Sequence, residues 1–162
     1  MWLWSIVIAV TLQRLGELML ARRNTKRLLA QGGREHGAGH YPLIVLLHTA
    51  WLAALVLFIP PDTPPDLVWL TVLVLLQVAR IWVIASLGGR WTTRIIVMPQ
   101  APLVARGPYR WMRHPNYAVV AAEIIALPMV FGAFWIAIVF TLLNAAVLAW
   151  RIRAENRALG RG

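Results

Sequence analysis

Four apolar stretches, at about 2–21, 42–60, 67–87 and 116–150, set the tightest limit on what this chain can fold into. Each approaches or exceeds the roughly 18–20 residues needed to cross a bilayer. Of the 162 residues, 60% are hydrophobic, and the mean hydropathy is +0.67. A soluble domain usually holds ~45–50% apolar residues. The expectation is an all-α integral membrane protein forming a single domain over 1–162. The first stretch lacks the basic start and small-residue cleavage pattern of a secretory signal and carries Arg14 and Glu17, so it reads as a retained helix. The chain has no cysteine, which excludes disulfides, thiolate catalysis and Cys-ligated metals.

A formal charge of +10 invites a nucleic-acid reading, but the positions of the charges oppose it. Arg22, Arg23, Lys26, Arg27 and Arg34 lie between the first two stretches, and Arg90, Arg94, Arg106, Arg110 and Arg113 follow the third. Arg151, Arg153, Arg157 and Arg161 close the chain, whereas "PPDTPPD" and the chain start carry no Lys or Arg. By the positive-inside rule the basic segments are cytoplasmic and the N-terminus and Pro/Asp loop are outside. The excess charge is a topology signal, with attraction to anionic membrane lipids as a second effect.

The same rule bends the last run. A straight helix over 118–150 would extend ~50 Å, yet both of its ends carry cytoplasmic-type charge. "LPMVFG", with Pro128 and Gly132, supplies the turn. The first arm is then about ten to thirteen residues, or ~15–20 Å, too short to cross unaided. The expected architecture is about five membrane helices, three within 1–87 and a helical hairpin within 88–162, with the C-terminus cytoplasmic.

Several polar residues sit where lipid disfavours them. Arg14 and Glu17 share a helix face, as do Gln77 and Arg80. An ion pair that orients the first helix is the plain reading of Arg14 and Glu17; lining a substrate cavity is the functional one. Arg80 either snorkels to the interface or contacts an anionic ligand. His48 reads as a donor between packed helices. His36 and His40 have i, i+4 spacing, but Gly37 and Gly39 interrupt any helix and no carboxylate pair joins them, so no metal site is expected.

Two segments at the basic end differ in character. "QGGREHGAGHY" (31–41) is glycine-rich without a phosphate-loop motif, and serves as a connector or as a lid. "GGRWTTRIIVMPQAPLVARGPYRWMRHP" (88–115) is long for a connection. "RIIVMP" and "PLVARG" suggest two short extended pieces around a turn at Pro99–Pro102. Pro108 and Pro115 restrict its backbone, with Pro115 placed to begin the next helix. Free backbone donors at that helix start, with Arg113 beside them, favour an anionic group. Arg151 and Glu155, at i, i+4 on the last helix, face one direction, and the hairpin returns them beside His114.

"LVARGPYRWMRHPNY", a hairpin and "RIRAENRAL" together resemble the isoprenylcysteine carboxyl methyltransferase family of membrane enzymes, which use S-adenosylmethionine. "LQRLGELMLARRN", "GGREHGAGHYPLIVLLHT" and "RIWVIASLGGRWTTRIIVMP" are similar to a small bacterial branch associated with O-methylation of alkylpyrones. The resemblance implies that Leu103, Val104, Tyr109, Arg113, His114, Pro115, Asn116 and Glu155 hold the cofactor. It also implies that Arg151 faces the methyl acceptor, with Arg80 or Arg14 as helpers. Ala101 stands where eukaryotic members usually have histidine, and Glu155-Asn156 replaces a glutamate pair, so the acceptor need not be a prenylcysteine.

The implied reaction suits a sparse site. An ionised carboxylate or hydroxypyrone enol needs alignment and exclusion of water rather than a strong base. The acceptor is then a lipophilic small molecule entering from the bilayer, and the site faces the cytoplasm at the plasma membrane. Arg-His-Pro-Asn-Tyr is also similar to a motif of NADPH-dependent sterol reductases, which generally have more helices. A phospholipid N-methyltransferase would favour acidic acceptor contacts over Arg151. A non-enzymatic membrane scaffold suits the composition but leaves the polar cluster unexplained.

Overall fold

The computed structural model describes residues 1–37, 39, 41–99, 102 and 104–158. Its helices are α1 (Trp2–Ala30), α2 (Tyr41–Phe58), α3 (Leu67–Leu87), α4 (Pro115–Met129) and α5 (Phe134–Ala158). Helix is the natural state for such runs, because hydrocarbon offers no partner for an open N–H or C=O. Four of them, α1, α2, α3 and α5, are long and apolar enough to cross a membrane. With 15 residues, α4 rises ~22 Å and falls short of the ~30 Å hydrocarbon core.

One end of the bundle gathers the chain start and two turns. The Met1 amine donates to the Pro61 carbonyl at 3.0 Å and to Asp62 Oδ1 at 3.2 Å. Asp66 caps α3, its Oδ1 accepting from the amides of Val68 (2.9 Å) and Trp69 (3.0 Å). Its own amide reaches the carbonyl of Val130 at 2.7 Å, which ties in the α4–α5 turn. Gly132 turns that hairpin at φ +67°, a conformation glycine adopts without a Cβ penalty. Leu3, Trp51, Leu55, Ile124, Leu127, Val130 and Ile136 form the dry core beneath this end.

The opposite, basic end is built differently from the sequence expectation in two respects. First, α1 continues to Ala30 instead of stopping near 21, since Arg22, Arg23, Lys26 and Arg27 are good helix formers. The extension docks through buried Asn24, whose Nδ2 donates to the carbonyls of Gly88 (3.3 Å) and Trp91 (2.9 Å). Second, the extended piece in "RIIVMP" pairs with the glycine-rich segment rather than with "PLVARG". Strands β1 (Arg34–His36) and β2 (Ile95–Val97) run antiparallel, with Glu35 opposite Ile96. A partner distant in sequence leaves no local signature, so hydropathy alone could not select it.

A one-turn 3-10 helix, Gly107–Arg110, presses against the end of α3. A Cβ on Gly107, which has φ +56°, would lie 2.1 Å from Ser86 Oγ, so this approach admits only glycine. Arg106 Nε fixes the same junction by donating to the Ser86 carbonyl at 2.7 Å.

Candidate active site

Two cavities open within the bundle, one at the basic end and one running from it along α2. The first, about 440 Å³, lies under the β1–β2 ladder and is lined by Val104, Tyr109, Arg113, His114, Asn116 and Glu155 among others. Pro115, also expected at this site, is instead buried as the first residue of α4. Leu103 and Ala101 lie outside the described residues, as does His40. Proximity of the α4 start to the end of α5 thus gathers six of the eight expected cofactor contacts around one space.

Tyr117, one residue past Asn116, organises this space. Its hydroxyl donates to Glu155 Oε2 and accepts from Arg151 Nε at 2.8 Å. The His114 ring stacks on Tyr117 with centroids 5.2 Å apart, and His114 Nδ1 lies 3.7 Å from Glu155 Oε2. Arg151 is 8% exposed, lies over the Tyr117 ring, and donates from Nη2 to the Thr93 carbonyl at 2.8 Å. A planar guanidinium held on its Nε edge and one Nη is oriented rather than merely attracted. Burial, then the nearby Glu155 carboxylate, pushes the Tyr109 phenol well above the usual tyrosine range, so it stays a neutral hydroxyl.

The second cavity, about 680 Å³, separates α1 from α2. On α2 its wall runs from Tyr41 through Ile44, His48 and Leu52 to Leu57, an i, i+3, i+4 stripe ~24 Å long. Val7, Thr11, Leu15 and Leu18 of α1 face it. Trp91, Thr92, Asn116, Tyr117 and Arg151 line both cavities, so one thin wall joins a polar chamber to an apolar one. At that wall Asn116 Oδ1 is buried without a hydrogen-bond partner.

Arg14 and Arg80 border the apolar cavity, but their charges are already matched. Arg80, 6% exposed, grips Glu17 through Nε and Nη2, each at 2.5 Å, and reaches Glu123 Oε2 from Nη1 at 3.1 Å. Arg14 donates to Glu17 at 3.0 Å and to Glu123 at 2.6 Å, and Gln77 Nε2 donates to Glu123 Oε1 at 3.0 Å. Two cations and two anions from α1, α3 and α4 thus form a neutral cluster inside the apolar bundle. The snorkelling expected as one option for Arg80 does not occur, because its counter-ions lie inward. His48 keeps to its own helix, with Nδ1 2.8 Å from the Ile44 carbonyl.

Glu123 and Tyr117 are the residues that sequence reasoning missed. A signal for Glu123 existed: a carboxylate inside an apolar run demands a partner, and Arg14 and Arg80 lacked a second one. Tyr117 sat within the recognised motif, yet nothing local distinguishes a tyrosine that bridges two helices from one anchored at an interface.

Fold and site together define a helical protein with four helices apolar and long enough to cross a membrane, in which a polar chamber meets an apolar one. The sequence model of the isoprenylcysteine carboxyl methyltransferase (ICMT) family matches residues 69–161, and the chain belongs to that family. Uncharacterized protein YpbQ of Bacillus subtilis (strain 168) is 38% identical over 160 residues, covering 96% of this chain and 95% of the relative. An uncharacterized protein of Haemophilus influenzae is 25% identical over 151 residues, covering 90% and 88%. No solved structure gives a significant match. Family membership points to a membrane methyltransferase dependent on S-adenosylmethionine.

Proposed function

We propose that this protein transfers a methyl group from S-adenosylmethionine to an anionic oxygen of a lipophilic acceptor. The acceptor would be an alkylpyrone enol or the carboxylate of a prenyl or acyl compound. The shared wall at Tyr117 and Arg151 carries this reading, because it brings a polar chamber and an apolar one within reach of the same side chains.

The polar chamber suits the cofactor. Its volume of about 440 Å³ lies within the range of small-molecule sites. Among the described residues Glu155 is engaged through Oε2, by Tyr117 and His114, which leaves Oε1 for an amino or hydroxyl group. The unmatched Asn116 Oδ1 offers a further acceptor at the wall. Tyr109, Arg113, His114 and Glu155 would hold the cofactor, with Val104 along its edge. Bound there, S-adenosylmethionine supplies a methyl group carried on a sulfonium, which leaves as a neutral thioether, so an anionic acceptor needs no base.

Arg151 then has a single task, to orient and stabilise the acceptor oxygen at the wall. Tyr117 and the Thr93 carbonyl hold its plane, and the apolar chamber keeps water away from the reacting atoms. Arg14 and Arg80, matched by Glu17 and Glu123, would support the chamber rather than bind the acceptor directly. The acceptor's tail enters sideways between α1 and α2. In this arrangement the protein sits in a bacterial plasma membrane with the site facing the cytoplasm, the N-terminus outside, and α4 immersed as a fifth membrane helix.

Calorimetric titration of the detergent-purified protein tests the cofactor. S-adenosylmethionine should bind saturably and NADPH should not; the reverse result would convert the reading to a reductase. With labelled cofactor, Arg151→Ala should lower turnover by about 10²-fold, the scale of an oxyanion-stabilising donor. Unchanged kinetics in that variant would remove Arg151 from the reaction.

A further inference from the structure

We propose that His48 and Asn144 form a second polar subsite, deep in the apolar cavity, that reads a hydroxyl on the acceptor's chain. This rests on the reading of that cavity as the acceptor site. The inference begins with depth. His48 lies two helical turns below Tyr41 on α2, and Asn144 two turns below Arg151 on α5, or ~10 Å in each case. Both line the cavity, each about two turns along its helix from a residue that also lines it, Tyr41 and Arg151.

Neither is explained by the charge cluster at similar depth, which is balanced within itself. Asn144 is 5% exposed and its side chain makes no hydrogen bond among the described residues. An amide that opens onto an apolar cavity without a protein partner marks a place where a ligand can supply one. His48 is complementary. The Ile44 carbonyl can only accept, so Nδ1 carries the proton of that bond, and Nε2 is an acceptor whenever the ring is neutral. Asn144 can donate and His48 can accept, and a hydroxyl satisfies either role. Toward Leu57 the lining is mainly apolar, with Leu52, Val56, Leu57 and Val7, and Thr11 as the polar exception. An unbranched hydrocarbon tail would fill the volume but leave the Asn144 amide unmet.

An extended chain advances ~1.2 Å per bond, so a hydroxyl ~10 Å below the methylated oxygen stands near the eighth carbon of a fatty acid. The test uses hexadecanoate and its 4-, 8- and 12-hydroxy derivatives with the full-length protein in detergent. Binding is read from tryptophan fluorescence, since Trp91 lines the cavity and Trp51 contacts His48 edge-on. The 8-hydroxy acid should bind about tenfold more tightly than hexadecanoate, the scale of one hydrogen bond formed out of water. The 4- and 12-hydroxy acids should gain nothing. Asn144→Leu together with His48→Leu should abolish the preference. Asn144→Leu alone removes a buried unmet amide, so its thermal stability should hold or rise, which separates loss of recognition from loss of fold.

Equal binding of all four acids to the unaltered protein would overturn the subsite, as would a preference that survives the double variant. Transfer of labelled methyl from S-adenosylmethionine is scored in parallel. Position-selective binding without methylation would keep the subsite and remove acyl carboxylates from the acceptors of the transferase reading. Methylation of all four acids at equal efficiency would do the opposite.

Discussion

Tyr117 is the residue on which the two chambers depend. Its hydroxyl joins Glu155, which lines the polar chamber, to Arg151, which lines both. Tyr117→Phe keeps the ring that stacks on His114 and removes only that bridge. Hydrogen bonds to charged groups are worth about 1.5–3 kcal/mol, so the lost orientation should slow turnover by roughly 10–100-fold. Affinity for S-adenosylmethionine should fall much less, because Tyr109, Arg113 and Glu155 remain. Single-turnover rates and calorimetry separate the two effects. Equal losses in both would make Tyr117 a cofactor contact rather than a positioning residue. At this scale the sequence was informative about which residues gather and silent about how they bond. Asn116, His114 and Glu155 were legible through motif and helical spacing, whereas a bridge between residues 117, 151 and 155 requires two helices to be packed first.

Among the elements, α1 is held largely by polar points. Its amino terminus is tied to Pro61 and Asp62, its middle to α3 and α4 through the charge cluster, and its basic end to Gly88 and Trp91 through Asn24. This leaves the α1–α2 side available for an apolar cavity. It also makes the balance of the cluster decisive. Glu123→Leu leaves Arg14 and Arg80 facing Glu17 alone, an uncompensated cation within the bundle. Breaking a buried pair in this way costs about 3–5 kcal/mol. Combining Glu123→Leu with Arg80→Leu restores neutrality through the Arg14–Glu17 pair, so the double variant should be more stable than Glu123→Leu despite losing more contacts. Denaturant or thermal unfolding in detergent reads the order directly, and the reverse order would mean that the cluster's bonds, not its charge balance, hold α1. The helical class was foreseen from apolar run length, four of the helices being long and apolar enough to cross a membrane, and the hairpin from Pro128 and Gly132. The β1–β2 ladder was not, since its strands are far apart in sequence and each is three residues long.

For the whole molecule, charge and cavities are distributed together. The polar chamber lies at the basic end, and the apolar chamber runs from it along α2 as far as Leu57, beside the core. The proposed orientation makes a clean prediction because the chain has no native cysteine. Thr63→Cys in the α2–α3 loop should react with a membrane-impermeant maleimide added to intact cells, while Arg110→Cys should react only after the membrane is opened. The opposite pattern would invert the topology and place the polar chamber outside.

Run length, hydropathy and the placement of arginines determined, from sequence alone, that the chain is a helical membrane protein with a hairpin near its end and a polar site at its basic face. These are local properties, set by the cost of carrying polar backbone and charge into hydrocarbon. Only the tertiary structure decided the partners. It gave Arg14 and Arg80 to Glu17 and Glu123, paired β2 with β1, and set Tyr117 between Arg151 and Glu155. Pairing depends on which helix faces meet, and that is fixed by packing across the bundle rather than by any window of sequence.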